Sequence, residues 1–146
     1  MKWIDLPPNW LLAFVVLGWV LAQIAGSPAP GVLRLLGGAL AFIGIAFMVW
    51  GVLHMTRRKT TVIPHRRAAT LVTDGPFHVS RNPIYLGDAL FLAGAHLWWG
   101  LWWALPLVAL FAWIITRRFI LPEERRLRDD FGQAFGDYCA KTRRWI

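Results

Sequence analysis

The sequence predicts an all-α integral membrane protein with four transmembrane helices and a cytoplasmic amphipathic helix near its C-terminal end. The first observation behind this class is composition: 57% of the 146 residues are hydrophobic, 16% are charged, and the mean hydropathy is +0.47. The second is the presence of 10 Trp residues. The third is the concentration of basic residues in short segments beside apolar stretches. A water-soluble domain of this composition would expose too much apolar surface to stay dispersed.

The first two spans are predicted at about residues 10–25 and 32–55. Pro7-Pro8-Asn9 precedes the first span, and Pro or Asn is typical of a helix start. Residues 26–31 read GSPAPG and predict a tight turn between the two spans. Residues 56–83 are polar and contain no long apolar run, so they predict a loop.

Residues 84–116 form an apolar run that is too long for a single crossing of about 20 residues. The segment 98–103 reads WWGLWW and divides the run into spans at about 84–98 and 103–119. Trp residues are enriched where a membrane meets water, so this cluster predicts a turn at the far side of the membrane. The chain is interpreted as one domain, residues 1–146.

A tail helix is predicted at 122–138. The sequence Leu121-Pro122-Glu123-Glu124 is typical of a helix start, with Pro in the first turn and acids at the positive end of the helix dipole. Leu127, Phe131 and Phe135 then recur at a spacing of four. This pattern predicts an amphipathic helix that lies on the membrane or caps a pocket.

Lys and Arg residues predict the orientation. Of the 16 basic residues, six lie in 56–83 and eight in 117–146. Cytoplasmic segments carry such an excess, so both termini and the 56–83 loop are predicted to be cytoplasmic, in a bacterial inner membrane. The net charge of +8 is read as a topology signal, and no nucleic-acid partner is predicted. No metal site is predicted either, because HxxxH and CxxC spacings are lacking.

Two polar motifs lie beside apolar spans: Arg81-Asn82-Pro83-Ile84-Tyr85-Leu86-Gly87 and Glu123-Glu124. With the run 71–77 (LVTDGPF) and a tail containing Tyr138, they make about residues 60–146 resemble the isoprenylcysteine carboxyl methyltransferase family and its bacterial relatives. The Asn-Pro-x-Tyr-x-Gly core is also similar to phospholipid N-methyltransferases. One departure is Asn82, since the carboxyl methyltransferases usually have His there.

The resemblance implies methyl transfer from S-adenosylmethionine to a membrane lipid or lipophilic small molecule at the cytoplasmic face, with S-adenosylhomocysteine as the product. The acceptor group is a phospholipid amine, or a lipid-like carboxylate or thiol. The oligomeric state is not predicted. The implied catalytic residues are Arg81, Asn82, Tyr85 and Glu124. The implied cofactor-binding residues are His65, Gly75, Phe77, Arg81, Pro83, Tyr85, Gly87, Glu123 and Glu124.

The residue chemistry fits these roles. The Arg81 guanidinium can bind the methionyl carboxylate of the cofactor in a bidentate manner. Successive helix residues point about 100° apart, so one residue of the pair Glu123-Glu124 is expected to contact ligand while the other braces Arg81 or a basic loop residue. Asp88 lies one turn inside a span, where an unpaired carboxylate is costly, so it is expected to be functional or paired.

Proton transfer depends on the acceptor. An amine acceptor needs a base, for which His65, His78 and the two Glu residues are the candidates, whereas a carboxylate acceptor needs none. His54 and His96 lie near the ends of predicted spans, where we expect lipid headgroups to solvate them.

Other interpretations remain open at this point. Arg81 can serve as an ordinary positive-inside anchor, and the Glu123-Glu124 pair as simple first-turn acids. The chain can then be a non-enzymatic small membrane protein, such as an assembly subunit or a transporter half, built on the same scaffold. A reductase related to the sterol reductases would need a nicotinamide site, and the sequence contains no dinucleotide fingerprint.

Overall fold

The computed structural model describes residues 6–26, 28–58 and 70–146, and within these ranges the protein is helical and contains no strand. The all-α prediction is therefore confirmed for this part of the chain. The helices are α1 (Pro7–Ala25), α2 (Gly31–Arg57), α3 (Pro76–Val79), α4 (Pro83–Trp98), α5 (Pro106–Ile115) and α6 (Leu121–Lys141).

Proline marks most of the helix starts. Helices α1, α3, α4, α5 and α6 each carry Pro in the first turn. The first backbone N–H groups of a helix have no intrahelical acceptor, so Pro loses nothing there, and its fixed φ suits the helix. At the start of α4, Pro83 also restricts the backbone of the residue before it, Asn82.

Three helices are long and apolar enough to cross a membrane: Pro7–Ala25, Gly31–Arg57 and the 40-residue run Trp102–Lys141, which is kinked at Gly132. The last contains α5, a π-helical turn at Thr116–Ile120 and α6. The fourth predicted span corresponds to α4, which has 16 residues, fewer than the about 20 of a typical crossing. The four-span arrangement therefore belongs with the proposals below.

Helices α2 and α4 pack against each other more extensively than any other pair in the described residues. Their contact is lined by glycine. A Cβ atom on Gly44 would lie 2.5 Å from the backbone N of Phe91, and one on Gly87 would lie 2.5 Å from the carbonyl O of Gly44. The two backbones thus touch, as is common where small residues line helix contacts in membranes. This contact fixes the position of α4.

A compact apolar core lies where α1, α4, α5 and the π-helical turn meet. The rings of Phe14 and Phe111 pack edge to face with centroids 5.5 Å apart. Leu92, Ile115, Phe119 and Ile120 complete the buried cluster. The outer faces of α1 and α2 are instead apolar and exposed, which suits contact with lipid tails.

His96 does not behave as the sequence predicts. Its side chain is 0% exposed, and its Nδ1 makes a 2.8 Å hydrogen bond with the carbonyl O of Leu92. The expectation of headgroup solvation is wrong for this residue because α1 covers it: a Cβ on Gly18 would lie 2.9 Å from the His96 ring.

Candidate functional site

The candidate site lies at the end of the bundle where α4 and α6 begin, called here the polar end. Residues 80–82 connect α3 to α4 in a non-helical conformation, with Asn82 at the N-cap position. Glu123 and Glu124 lie in the first turn of α6. Two helix starts therefore carry the polar motifs to the same place, although the motifs are about forty residues apart in sequence.

Glu124 is held between two arginines. Arg81 Nη2 donates to Glu124 Oε1 at 3.0 Å. Arg144 Nε and Nη2 donate to Glu124 Oε1 and Oε2 at 2.9 and 2.7 Å. The Arg81 and Glu124 side chains are only 12% and 10% exposed, so this pair is poorly screened by water. Burial alone would raise the pKa of Glu124, but the hydrogen bonds from Arg144 and the charge of Arg81 hold it below its ordinary value.

The segment 142–145, called here the strap, crosses the start of α4 and holds it through backbone carbonyls. Hydrogen bonds run to it from Arg81 N to Arg143 O at 3.0 Å, from Asn82 Nδ2 to Arg144 O at 3.0 Å and from Ser80 Oγ to Arg144 O at 3.2 Å. The Ser80 hydroxyl also accepts a bond from Asn82 N at 3.1 Å. The strap therefore fixes the backbone of Arg81 and the side chain of Asn82.

The other end of α6 adds a further tie. The Tyr138 hydroxyl donates to the carbonyl O of Phe77 at 2.6 Å, and burial raises the pKa of this phenol. Arg81 Nη1 lies 3.5 Å from the carbonyl O of Cys139, a weaker contact. The segment from Phe77 to Asn82 is thus enclosed by α6 and the strap on one side and by α4 on the other.

A cavity of about 510 Å³ opens beside this network. Its polar lining consists of Arg81, Asn82, Tyr85, Asp88 and Glu123. The remaining lining is apolar and comes from Leu6 and the start of α1, the last part of α2, α3 and the start of α4. These residues are Leu6, Pro7, Pro8, Leu11, Met48, Val52, Met55, Phe77, Pro83 and Ile84. The cavity therefore combines a small polar region with an apolar wall, which is typical of a ligand site.

The structure brings most of the predicted site residues together at this cavity. Phe77, Arg81, Asn82, Pro83, Tyr85 and Glu123 line it. Glu124 lies behind Arg81 and braces it, as expected for one member of the Glu pair. His65 falls outside the residues that the structure describes. His78 is exposed and does not line the cavity.

The two predicted glycines pack against protein. Gly87 faces Gly44 in the α2–α4 contact and does not line the cavity. Gly75 has a φ of 60°, a conformation that favours glycine, and a Cβ there would lie 2.8 Å from the His54 ring. His54 Nε2 in turn is 2.9 Å from Asp74 Oδ1. At both positions a neighbouring group lies close to the glycine: helix α2 at Gly87 and the His54 ring at Gly75.

Glu123 differs from its neighbour. It lines the cavity, and its burial raises the pKa of the carboxyl, an effect that the charge of Arg126 opposes and the charge of Glu124 reinforces. Glu123 therefore holds its charge less readily than Glu124 does. The different environments of these adjacent residues match their different orientations on the helix.

Arg81 has spare binding capacity. Its Nε is buried and has no hydrogen-bond acceptor among residues 6–26, 28–58 and 70–146. A buried N–H without an acceptor costs free energy unless a ligand or water satisfies it. Because Arg81 lines the cavity, this donor fits a carboxylate group of a bound molecule.

Sequence reasoning missed Arg144 and Ser80. Arg144 is one of eight basic residues in 117–146, and nothing in its spacing shows that it reaches Glu124. Asp88 is unusual in the sequence as a carboxylate within a span, but its position there does not assign it to the site. It lines the same cavity one turn beyond Tyr85. No cluster of three His, Cys, Asp or Glu residues able to hold a metal ion occurs in the described ranges.

Comparison with known proteins gives one match. The family model described as phospholipid methyltransferase matches residues 32–134, which is more than half of the chain. The matched region includes the α2–α4 contact, the Arg81-Asn82 motif and both glutamates. No curated protein and no solved structure matches the chain.

Proposed function

Because the chain belongs to the phospholipid methyltransferase family, we propose that it transfers the methyl group of S-adenosylmethionine to a lipophilic acceptor at the cytoplasmic face of the membrane. The observation that carries this proposal is the cavity at the polar end. There Arg81, whose Nε–H has no acceptor among the described residues, and the carboxylate of Glu123 lie beside a wall of apolar residues from α1 and α2.

The residues present fit a zwitterionic cofactor. When bound, S-adenosylmethionine supplies a methyl group on a positively charged sulfur. The Arg81 guanidinium binds its carboxylate, using the donor that has no acceptor among the described residues. Glu123 accepts hydrogen bonds from its ammonium or ribose hydroxyls. The Tyr85 ring and hydroxyl border the same space.

Glu124 and Arg144 orient the binding group. Two hydrogen bonds from Arg144 fix the Glu124 carboxylate, which in turn fixes one side of the Arg81 guanidinium. A charged group held in advance loses less entropy on binding and reorganises less during reaction. In this proposal Glu124 acts through Arg81, and Asn82 acts by bonding the strap.

The acceptor reaches the cavity from the bilayer. Leu6, Leu11, Met48, Val52 and Met55 form an apolar wall that lipid chains can lie against. Closing such a pocket excludes water, and methyl transfer mainly requires alignment of the acceptor and exclusion of water. We favour an amine acceptor, because the Asn-Pro-x-Tyr-x-Gly core is similar to the phospholipid N-methyltransferases.

The proposal includes four spans with both termini cytoplasmic, in a bacterial inner membrane. Helix α4 is about 24 Å long at 1.5 Å per residue. Local thinning of the bilayer can match a helix of this length at a modest cost. The large excess of Lys and Arg in 56–83 and 117–146 supports an orientation with the polar end inside.

Cofactor binding and product formation test the function. Purified protein should bind S-adenosylhomocysteine in calorimetry, and with a labelled methyl donor it should label one component of a total lipid extract. The Arg81→Ala variant should do neither, while Arg125→Ala, which changes an exposed arginine on α6, should do both. Absence of binding by the unaltered protein would reject the proposal.

A further inference from the structure

The Asp88 carboxylate is the unexplained group of the cavity. Asp88 is only 6% exposed and lies within the apolar helix α4. No hydrogen bond or ion pair contacts this carboxylate in the part of the chain that the structure describes. Buried carboxylates are normally paired, because removing a charge from water is costly. An acid that lines a ligand cavity and lacks a protein partner indicates a partner among the ligands.

The position of Asp88 separates it from the cofactor-binding groups. It lies five residues beyond Pro83, about 7.5 Å along α4 at 1.5 Å per residue. Arg81 and Glu123 lie at the polar end, where α4 and α6 begin. Tyr85 and Asp88 are three residues apart and share a face of α4, so the carboxylate lies one turn deeper than the tyrosine. The apolar wall from α1 and α2 borders this deeper part of the cavity.

The charged residues that line the cavity differ in whether a group of opposite charge lies near them. Arg81 is paired with Glu124, and Glu123 is close enough to Arg126 for that charge to act on it. The lining residues of α1 and α2, among those described, include no titratable side chain. Asp88 is therefore a carboxylate of the cavity for which the described residues supply no neutralising cation.

We infer that Asp88 is the binding group and proton acceptor for the nitrogen of the methyl acceptor, which is a lipid with a primary or secondary amine. This inference rests on the proposed function and adds a residue to it. The ammonium group of the lipid pairs with the carboxylate, and the lipid chains lie along the apolar wall. One ligand thus satisfies both the charge and the apolar surface.

The lipid ammonium gives one proton to the Asp88 carboxylate, which leaves a neutral amine with a free electron pair. That pair forms the nitrogen–carbon bond, the methyl carbon–sulfur bond breaks with its electrons on sulfur, and S-adenosylhomocysteine is the leaving group. The new alkylammonium carries the positive charge that the sulfonium has lost. Asp88 then releases its proton to water when the product leaves.

Two variants test this role. Asp88→Asn keeps the size of the side chain and removes its charge and basicity, and Asp129→Asn makes the same change at an exposed position of α6. Calorimetry with S-adenosylhomocysteine reports on the cofactor. Methyl transfer to phosphatidylethanolamine in mixed micelles, measured from about pH 6 to 10, reports on the acceptor.

We expect Asp88→Asn to bind S-adenosylhomocysteine within about twofold of the unaltered protein, and to lose about 10²- to 10⁴-fold in kcat, the usual contribution of a positioned base. Its residual rate should keep rising with pH toward the amine's own pKa, near 10, because only solvent then removes the proton. The unaltered protein should reach a plateau at lower pH. Asp129→Asn should match the unaltered protein in both measurements.

Three results would overturn the assignment. An unchanged rate and pH profile in Asp88→Asn would show that the carboxylate takes no part. A large loss of S-adenosylhomocysteine binding would place Asp88 with the cofactor. A base-labile methylated product, indicating an ester, would show that the acceptor is a carboxylate. If the unaltered protein does not bind S-adenosylhomocysteine at all, the proposed function itself fails, and this inference fails with it.

Discussion

The α2–α4 contact and the strap hold the same helix by different means. Along α2 and α4 the contact is made by glycine backbones, as at Gly44 and Gly87. At the polar end, α4 is held by hydrogen bonds from Arg81 and Asn82 to strap carbonyls and by the ion pair of Arg81 with Glu124. The first contact depends on shape, and the second depends on polar groups in fixed directions.

The position of α4 and the orientation of the Arg81 guanidinium are thus fixed by different contacts. Contact between backbones fixes where α4 lies, because any added atom would push the helices apart. It does not orient a guanidinium. Directional bonds do that, and they are stronger where water is largely excluded, as around Arg81 and Glu124. Changes in the glycine contact should therefore affect stability first, and changes in the strap should affect binding first.

Arg81 should show the largest effect, on binding. Arg81→Ala should weaken S-adenosylhomocysteine binding by about 2–5 kcal/mol, the range for removing one member of a buried charge pair. Arg81→Lys should recover little, because an ammonium cannot reproduce the planar set of donors. Calorimetry measures both, with Arg125→Ala as the control. Normal binding by the Ala variant would contradict the assignment of Arg81 to the cofactor.

Gly44 should show the next effect, on stability. In Gly44→Leu the new side chain meets the backbone of α4, and such overpacking costs about 1–3 kcal/mol, and occasionally more. Thermal unfolding in detergent should show a marked fall in Tm. The control is Gly31→Leu, since a Cβ at Gly31 meets none of the described residues within 4 Å. Equal Tm values for the two variants would show that α2 and α4 do not pack through glycine.

Arg144 should separate binding from stability. Its side chain is 35% exposed, so solvent screening limits the loss in Arg144→Ala to about 1 kcal/mol of stability. Its effect on S-adenosylhomocysteine affinity should exceed its effect on unfolding, because Glu124 then holds Arg81 less firmly. Arg143→Ala is the control, as Arg143 contributes its backbone carbonyl to the strap. Equal losses in binding and stability would assign Arg144 a purely structural role.

Acid should produce the smallest effect. The pKa of Glu124 is lower in the folded protein than its ordinary value of 4.5. Its contribution to stability is therefore complete above about pH 4.5 and is lost as the pH falls through the folded value. The difference in Tm between the unaltered protein and Glu124→Gln should be constant from pH 7 to 5 and shrink below pH 4.5. A difference that grows on acidification would reverse the assigned direction.

Part of this arrangement could be predicted from the sequence. Long apolar runs and Pro at helix starts predict helices, because these features act locally. The pairing of Arg81 with one of the two glutamates could be expected from their chemistry and from the angle between successive helix residues. The choice of Glu124 could not, because it depends on how α6 is rotated against α4.

The hydrogen bonds of the strap and the burial of His96 could not be predicted from the sequence. The bonds from Asn82 and Ser80 are made to backbone carbonyls, and a carbonyl leaves no trace in residue identity. His96 is buried because α1 crosses it at Gly18, which is a property of packing between distant segments. The participation of Leu6 and Leu11 in the cavity wall likewise follows only from the way α1 lies beside α4.

The π-helical turn Thr116–Ile120 sets how far α6 is rotated about its own axis relative to α5. An α-helix rotates by about 100° per residue, and a wide turn accommodates one extra residue without breaking the helix. Deleting one residue there would turn Glu124 through about 100° and away from Arg81, with α5 left in place. Among related chains, the distance from the last apolar helix to the glutamate pair should therefore change only in steps of whole turns, about 3.6 residues each.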